Sequence, residues 1–200
     1  MLPNWAWLCH GGQMTSKTGK ALALILTQAF LLAYMITLPK GLWADEVLQF
    51  APAAFPNVHE AAAAIFGSIR GGLNHGQTGV QMLLNYFSLK ALGASYLALR
   101  WPSFLAYAAG ITGGFFFLMD VGASLAVGIL FAFLFGLSQL SLEHGWEARP
   151  YILLQGTVMA YLWAWHRYAT GRPRSLRWVL LFGALGIAFH PFFVASERSP

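Results

Sequence analysis

An all-α fold, a polytopic bundle of transmembrane helices, is what this sequence predicts, and three observations predict it. Hydrophobic residue types make up 58% of the 200 residues and charged types only 10%, against about a quarter charged in soluble domains. Apolar runs near membrane-spanning length recur along the chain. Basic residues cluster beside those runs, at Lys17–Lys20 and between Arg167 and Arg177, and form no broad patch. A soluble fold of this size cannot hide so much apolar surface, because much of its surface must face water. The eight Trp, seven Tyr and sixteen Phe fit the same reading, since Trp and Tyr favour the headgroup zone.

The net charge of +5 is therefore read as a topology signal, and nucleic acid is excluded as a partner. The single cysteine, Cys9, rules out an intramolecular disulfide and any cysteine-based metal cluster. The chain contains no internal repeat or low-complexity linker.

Residues 1–20 read as a cytoplasmic tail, with Met14 an alternative start. A bilayer core takes about 20 mainly apolar residues in a helix, and residues 21–38 supply the first span. Pro39, Lys40 and Gly41 end it. Residues 42–78 carry charges, prolines, glycines and histidines and are expected outside the hydrocarbon, with a short amphipathic helix at 58–69. Gly79–Leu92 is apolar but short, and it carries Gln81, Asn85 and Lys90; such a segment is more often interfacial than spanning. These are the juxtamembrane amphipathic helices expected in the first external loop. Residues 102–118, 121–140, 151–168 and 178–193 are further spans, and 194–200 form a C-terminal tail.

The basic residues orient the bundle. Lys17 and Lys20 place the N-terminus in the cytoplasm, and Arg167, Arg172, Arg174 and Arg177 place their loop there too. Two cytoplasmic points require an even number of crossings between them. Four are available if Gly79–Leu92 lies along the outer face. Asp45, Glu46, His59, Glu60, His75, Glu143, His144, Glu147 and Arg149 then share the external side, with His190 near the outer end of the last span.

Three groups there could carry chemistry. In Trp43-Ala44-Asp45-Glu46, one of two adjacent carboxylates could act as general base towards a hydroxyl; the plainer alternative is a solvated loop ending a helix. Glu143-His144-Gly145-Trp146-Glu147-Ala148-Arg149-Pro150 sets ionisable groups between two apolar runs, where such groups are costly and usually functional. Arg149 suits a phosphate, and the alternative is a salt-bridged loop. His75 and His190 form the third group, set against ordinary structural histidines. A metal site from His75, His144 and Glu147 has no ligand spacing behind it. An intramembrane serine protease built on Ser124 and His190 is discounted, because the two would lie at opposite faces.

The order of these features resembles the C-type membrane glycosyltransferases, in particular family 39, the group of protein O-mannosyltransferases and lipid A aminoarabinose transferases. Trp43-Ala44-Asp45-Glu46 is similar to that family's Asp-Glu loop. His75 precedes an interfacial helix, although Gly76-Gln77-Thr78-Gly79 replaces the expected prolines. Ala98-Leu99-Arg100-Trp101-Pro102-Ser103 resembles its Leu-Arg-x-Pro-Ser step, and Glu147-Ala148-Arg149-Pro150-Tyr151 its Glu-Ala-Arg-x-Tyr element. The match runs over residues 21–193.

The resemblance implies a function. A sugar passes from a polyprenyl-phosphate donor to an acceptor hydroxyl at the outer face of the membrane. Asp45 or Glu46 serves as base, and His75, Glu147, Arg149 and His190 bind substrate. No organic cofactor or resident metal is implied, although a divalent ion could supply some of the positive charge. The expected location is the bilayer itself, as a multi-pass protein of a bacterial inner membrane. Relatives continue for many more spans, so the chain is expected to be an N-terminal fragment whose activity truncation would remove. The competing expectation is a non-catalytic multispanning protein, such as a transporter fragment or assembly subunit.

Overall fold

The computed structural model describes residues 16–38, 41, 44–67, 79–145 and 147–189, with the backbone alone at residues 44 and 45. Within them the chain is all-helical, without a β-strand. In order come α1 (Lys17–Thr37), α2 (Ala44–Leu48), a 3₁₀ turn (Ala51–Ala54), α3 (Val58–Phe66), α4 (Gly79–Leu92) and α5 (Tyr96–Asp120). Then follow α6 (Leu125–Gly136), α7 (Gln139–His144), α8 (Pro150–Ala169), a second 3₁₀ turn (Pro173–Ser175) and α9 (Leu176–Phe189). Among the described residues two helices, α1 and α5, are long and apolar enough to cross a membrane.

Short polar side chains set several helix starts. Ser16, Asn57, Ser95, Ser124 and Ser138 each accept a hydrogen bond from a backbone N–H in the first turn that follows, supplying an acceptor to a donor the helix leaves orphaned. Ser138 also explains a departure from expectation. The run 121–140 reads as one continuous span, but it is broken. The Gly136 carbonyl turns to accept from Tyr107 Oη at 3.1 Å, and Ser138 opens α7 as a separate short helix.

Packing contacts fix the directions. Gln28 Nε2 on α1 donates to the Ala108 carbonyl and to Thr112 Oγ1 on α5, at 3.0 and 2.6 Å, while Leu31 lies against Gly136. Thus α1 runs antiparallel to α5. Gly128 of α6 sits against Phe115 and Met119, so α6 is antiparallel to α5 as well. In contrast, α5 and α8 run parallel, with Gly110 against Gly156 and Gly113 against Ala160. A Cβ at Gly113 would stand 2.8 Å from the Ala160 nitrogen, and one at Gly156 would run into the Ala106 carbonyl. This seam of small residues brings two backbones together as apolar helices do without a hydrophobic drive between them. The chain therefore shuttles between two ends. One end gathers α2, α7 and the starts of α5 and α8. The other gathers the starts of α1, α6 and α9 and the ends of α5 and α8.

On α1 only one stripe is buried, Leu24, Thr27, Leu31 and Met35. The remaining faces are equally apolar, with Ile25, Leu26 and Phe30 each more than half exposed.

The 14-residue helix α4 packs on α5; of the polar residues named above, Lys90 is exposed and the other two are not. Gln81 and Asn85 are fully buried. Gln81 Nε2 donates to Asn85 Oδ1 at 2.9 Å, and Asn85 Nδ2 donates to Gln49 Oε1 at 3.0 Å. Two of the three residues that suggested an interfacial helix, Gln81 and Asn85, are thus internal hydrogen-bonding groups joining α4 to the segment after α2.

The small-residue seam is testable. Gly156→Ala should lower stability by about 1–3 kcal/mol through overpacking. Gly183→Ala, where the nearest atom would lie at an ordinary 3.5 Å, should stay within about 0.5 kcal/mol of the parent. Thermal denaturation of the purified protein in detergent measures both.

Candidate active site

The centre of the first end is a buried ion pair. Glu46, the third residue of α2, is 0% exposed and Arg100 of α5 is 4% exposed. Arg100 Nε and Nη2 donate to Glu46 Oε1 and Oε2 at 3.1 and 2.9 Å. The Ala148 backbone N–H donates to Glu46 Oε1 at 2.9 Å. Arg100 Nη2 also donates to the Gly41 carbonyl at 3.1 Å. One carboxylate thus joins the segment after α1, the start of α5 and the entry to α8, across sequence separations of 54 and 102 residues.

The Arg100-Trp101-Pro102-Ser103 step makes this possible residue by residue. Arg100 supplies the guanidinium. Pro102 has no N–H, which leaves the carbonyl four residues earlier, Ala98, without its helical donor. Ser88 Oγ of α4 donates to that carbonyl, so the gap left by proline becomes the point where α4 attaches. Ser103 Oγ, fully buried, donates to the Glu147 carbonyl at 2.6 Å. One turn and a half of helix therefore anchors α2, α4 and the α7–α8 connection.

That connection carries the remaining charges. Glu147 Oε2 lies 2.9 Å from His144 Nδ1 and 3.9 Å from Arg149 Nε. The His144 ring packs against Tyr151, centroids 4.7 Å apart. Arg149 is the N-cap position of the 20-residue helix α8, with Pro150 as its first residue, and its side chain keeps 22% exposure. A guanidinium at the positive end of a helix dipole favours an anion.

Of the residues singled out from sequence, Glu46, Glu147 and Arg149 are brought to one end of the molecule. Asp45 is the second residue of α2, and its side chain lies outside the described residues, as do His75 and His190. Ser124 caps α6 at the far end, whereas α9 ends at Phe189 against Pro102 and Leu84, beside the first end. Among the described residues no group of three or more His, Cys, Asp or Glu could hold a metal ion. The sequence reading missed Arg100 and Ser103 as site residues. The signal for Arg100 was present: an ionisable side chain in an apolar helix has a partner or a function by default.

The chain matches no family model, no curated protein and no solved structure. Glu46 receives three N–H donors in a site closed to solvent, so an acceptor hydroxyl cannot reach it. In this geometry the carboxylate is taken up by Arg100 and the Ala148 N–H. Arg149 is the partly exposed cation.

Removing one member of the pair strands the other as a buried charge. Arg100→Met and Glu46→Met should each destabilise by about 3–5 kcal/mol. The double variant should recover much of that loss, because replacing both charges with apolar groups is often close to neutral. Thermal denaturation of the four proteins in detergent measures the coupling, and strictly additive losses would mean that the two residues do not depend on one another.

Proposed function

We propose that the chain is a multi-pass membrane protein whose Glu46–Arg100 end faces outwards and that it belongs to the machinery of sugar transfer from a polyprenyl-phosphate donor. The observation that carries this reading is the joint at Glu46. Three of the four sequence elements that resemble C-type glycosyltransferases lie within the described residues and far apart in the chain. All three converge on one buried network, through Glu46, through Arg100 and Ser103, and through the Glu147 carbonyl and Ala148 N–H.

The chemistry divides between two residues. Because Glu46 is fully engaged, Asp45 is the general base. It takes the proton of the acceptor hydroxyl, whose oxygen attacks the anomeric carbon. The bond from that carbon to the phosphate oxygen breaks, and the lipid phosphate leaves with the bonding pair beside Arg149. Base and cation must flank one carbon, with near-attack distances of about 3–3.5 Å. The apolar cleft lined by Leu84, Leu105, Leu153 and Phe189, about 300 Å³, opens beside this end and suits the lipid tail.

The membrane part is supported by the uniformly apolar exposed faces of α1, which water would not tolerate. It is supported too by the segregation of Lys17, Lys20 and the four arginines at the opposite end. Short α6 and α7 together make the return between the ends. The described stretch from α1 to α8 thus runs four times between the two ends, as the charge asymmetry requires.

In a background lacking Cys9, His59→Cys on α3 should react with an impermeant thiol reagent in intact cells. Arg174→Cys should react only after permeabilisation. The reverse pattern would overturn the orientation. For the chemistry, Arg149→Ala should weaken binding of undecaprenyl phosphate to the purified protein by about 10- to 100-fold, as expected for a charge-assisted contact of roughly 1.5–3 kcal/mol. Asp45→Asn should leave that binding intact and, in a transfer-competent form of the enzyme, abolish transfer from an undecaprenyl-phosphate sugar. Unchanged phosphate binding in Arg149→Ala would contradict the assignment.

A further inference from the structure

At the end of the bundle away from Glu46, α8, the second 3₁₀ turn and α9 enclose a cleft of about 170 Å³ lined by Trp163, Arg167, Arg174, Arg177 and Trp178. Its charge is one-sided. Arg167, Arg172, Arg174 and Arg177 stand against a single nearby carboxylate, Asp120. Asp120 Oδ2 accepts from Trp163 Nε1 at 3.0 Å and lies 3.7 Å from Arg167 Nε, while its Oδ1 lies 3.8 Å from Arg172 Nη1. Asp120 thus fixes the indole and two of the guanidiniums. Arg174 and Arg177 have no carboxylate partner among the described residues. The Arg167 guanidinium sits 5.0 Å over Trp163, and Arg177 sits 5.3 Å over Trp178.

A second observation gives the ligand its other half. The seam between α8 and α9 continues as an apolar cleft of about 240 Å³, lined by Leu154, Tyr161, Phe182 and Ile187. The two clefts are joined by a ring stack. Trp178 lines the basic cleft and packs on Phe182, which lines the apolar one, with centroids 5.9 Å apart and planes 20° apart. The four-residue step from Trp178 to Phe182 corresponds to about 6 Å along a helix, close to the step from a phospholipid phosphate into its acyl region.

We propose that this seam is a binding site for an anionic phospholipid, with the phosphate of the headgroup among Arg167, Arg174 and Arg177 and an acyl chain along Tyr161 and Phe182. Basic pockets between helices at the cytoplasmic side recognise such headgroups, and the flanking indoles suit the headgroup zone. The assignment rests on the membrane part of the reading above and is independent of sugar transfer. It places a lipid at the far end from the donor, where it would brace α9 against α8.

The test is native mass spectrometry of the whole purified chain, titrated in detergent with phosphatidylglycerol, phosphatidylcholine or inorganic phosphate. Phosphatidylglycerol should bind in preference to phosphatidylcholine. The exposed double variant R174Q/R177Q should lose about five-fold per arginine, roughly 25-fold in all. Lys17→Gln with Lys20→Gln removes the same charge from the same side and should leave binding unchanged. Trp178→Ala should also weaken it by removing the wall shared with the apolar cleft. Equal losses in both double variants, or none in R174Q/R177Q, would overturn the site. Displacement of phosphatidylglycerol by equimolar inorganic phosphate would overturn the lipid assignment. Co-flotation with phosphatidylcholine vesicles separates the two readings. A chain that floats yet shows no headgroup preference refutes the lipid site alone, and one that does not float refutes the membrane reading as well.

Discussion

A carboxylate with no access to solvent dictates how one end of this molecule is built. Burying an ion costs several kcal/mol, and an ion pair recovers that only with good geometry and further hydrogen bonds. Glu46 meets those terms with a two-pronged contact to Arg100 and a third donor from the Ala148 backbone. The three donors come from two distant segments, so the loop after α1, the first turns of α5 and the entry to α8 have to arrive together. The charged residues near Ala148 are then held by what Glu46 holds.

The helix α5 is the spine on which both ends are organised. Near its start, Pro102 and Ser103 offer a bare carbonyl at Ala98 and a hydroxyl for Glu147, which tie in α4 and the α7–α8 connection. In its middle, Gly110 and Gly113 let α8 approach to backbone contact. At its end, Asp120 gathers Trp163, Arg167 and Arg172. On its other side, Gln28 of α1 donates to Ala108 and Thr112, and Tyr107 donates to Gly136 of α6.

Much of this was legible in the sequence, for reasons that particular residues make plain. Helix type and approximate position follow from apolar runs and their breakers, and α1, α5 and α8 lie close to where those runs place them. The gathering of Glu46, Glu147 and Arg149 at one end follows from counting crossings against basic residues. Composition could not reveal the internal role of Gln81 and Asn85. A polar residue on a short apolar helix reads the same whether it meets water or Gln49. The break at Gly136–Ser138 was hidden likewise, because it depends on Tyr107 reaching the Gly136 carbonyl from another helix. Nor could two adjacent acids be told apart by spacing. The tertiary partner Arg100 is what commits the Glu46 carboxylate to the interior, and no spacing within the segment announces it.

The account stands or falls on whether Glu46 holds the entry to α8, and amide hydrogen exchange at Ala148 reads that contact directly. Ala148 lies between α7 and α8, outside either helix, and its N–H donates to the carboxylate. The account predicts slow exchange in the parent protein, with protection falling to that of an open loop in the Glu46→Met, Arg100→Met double variant while the amides in the middle of α5 and α8 stay protected. Fast exchange at Ala148 in the parent, or full protection retained in the double variant, would contradict it.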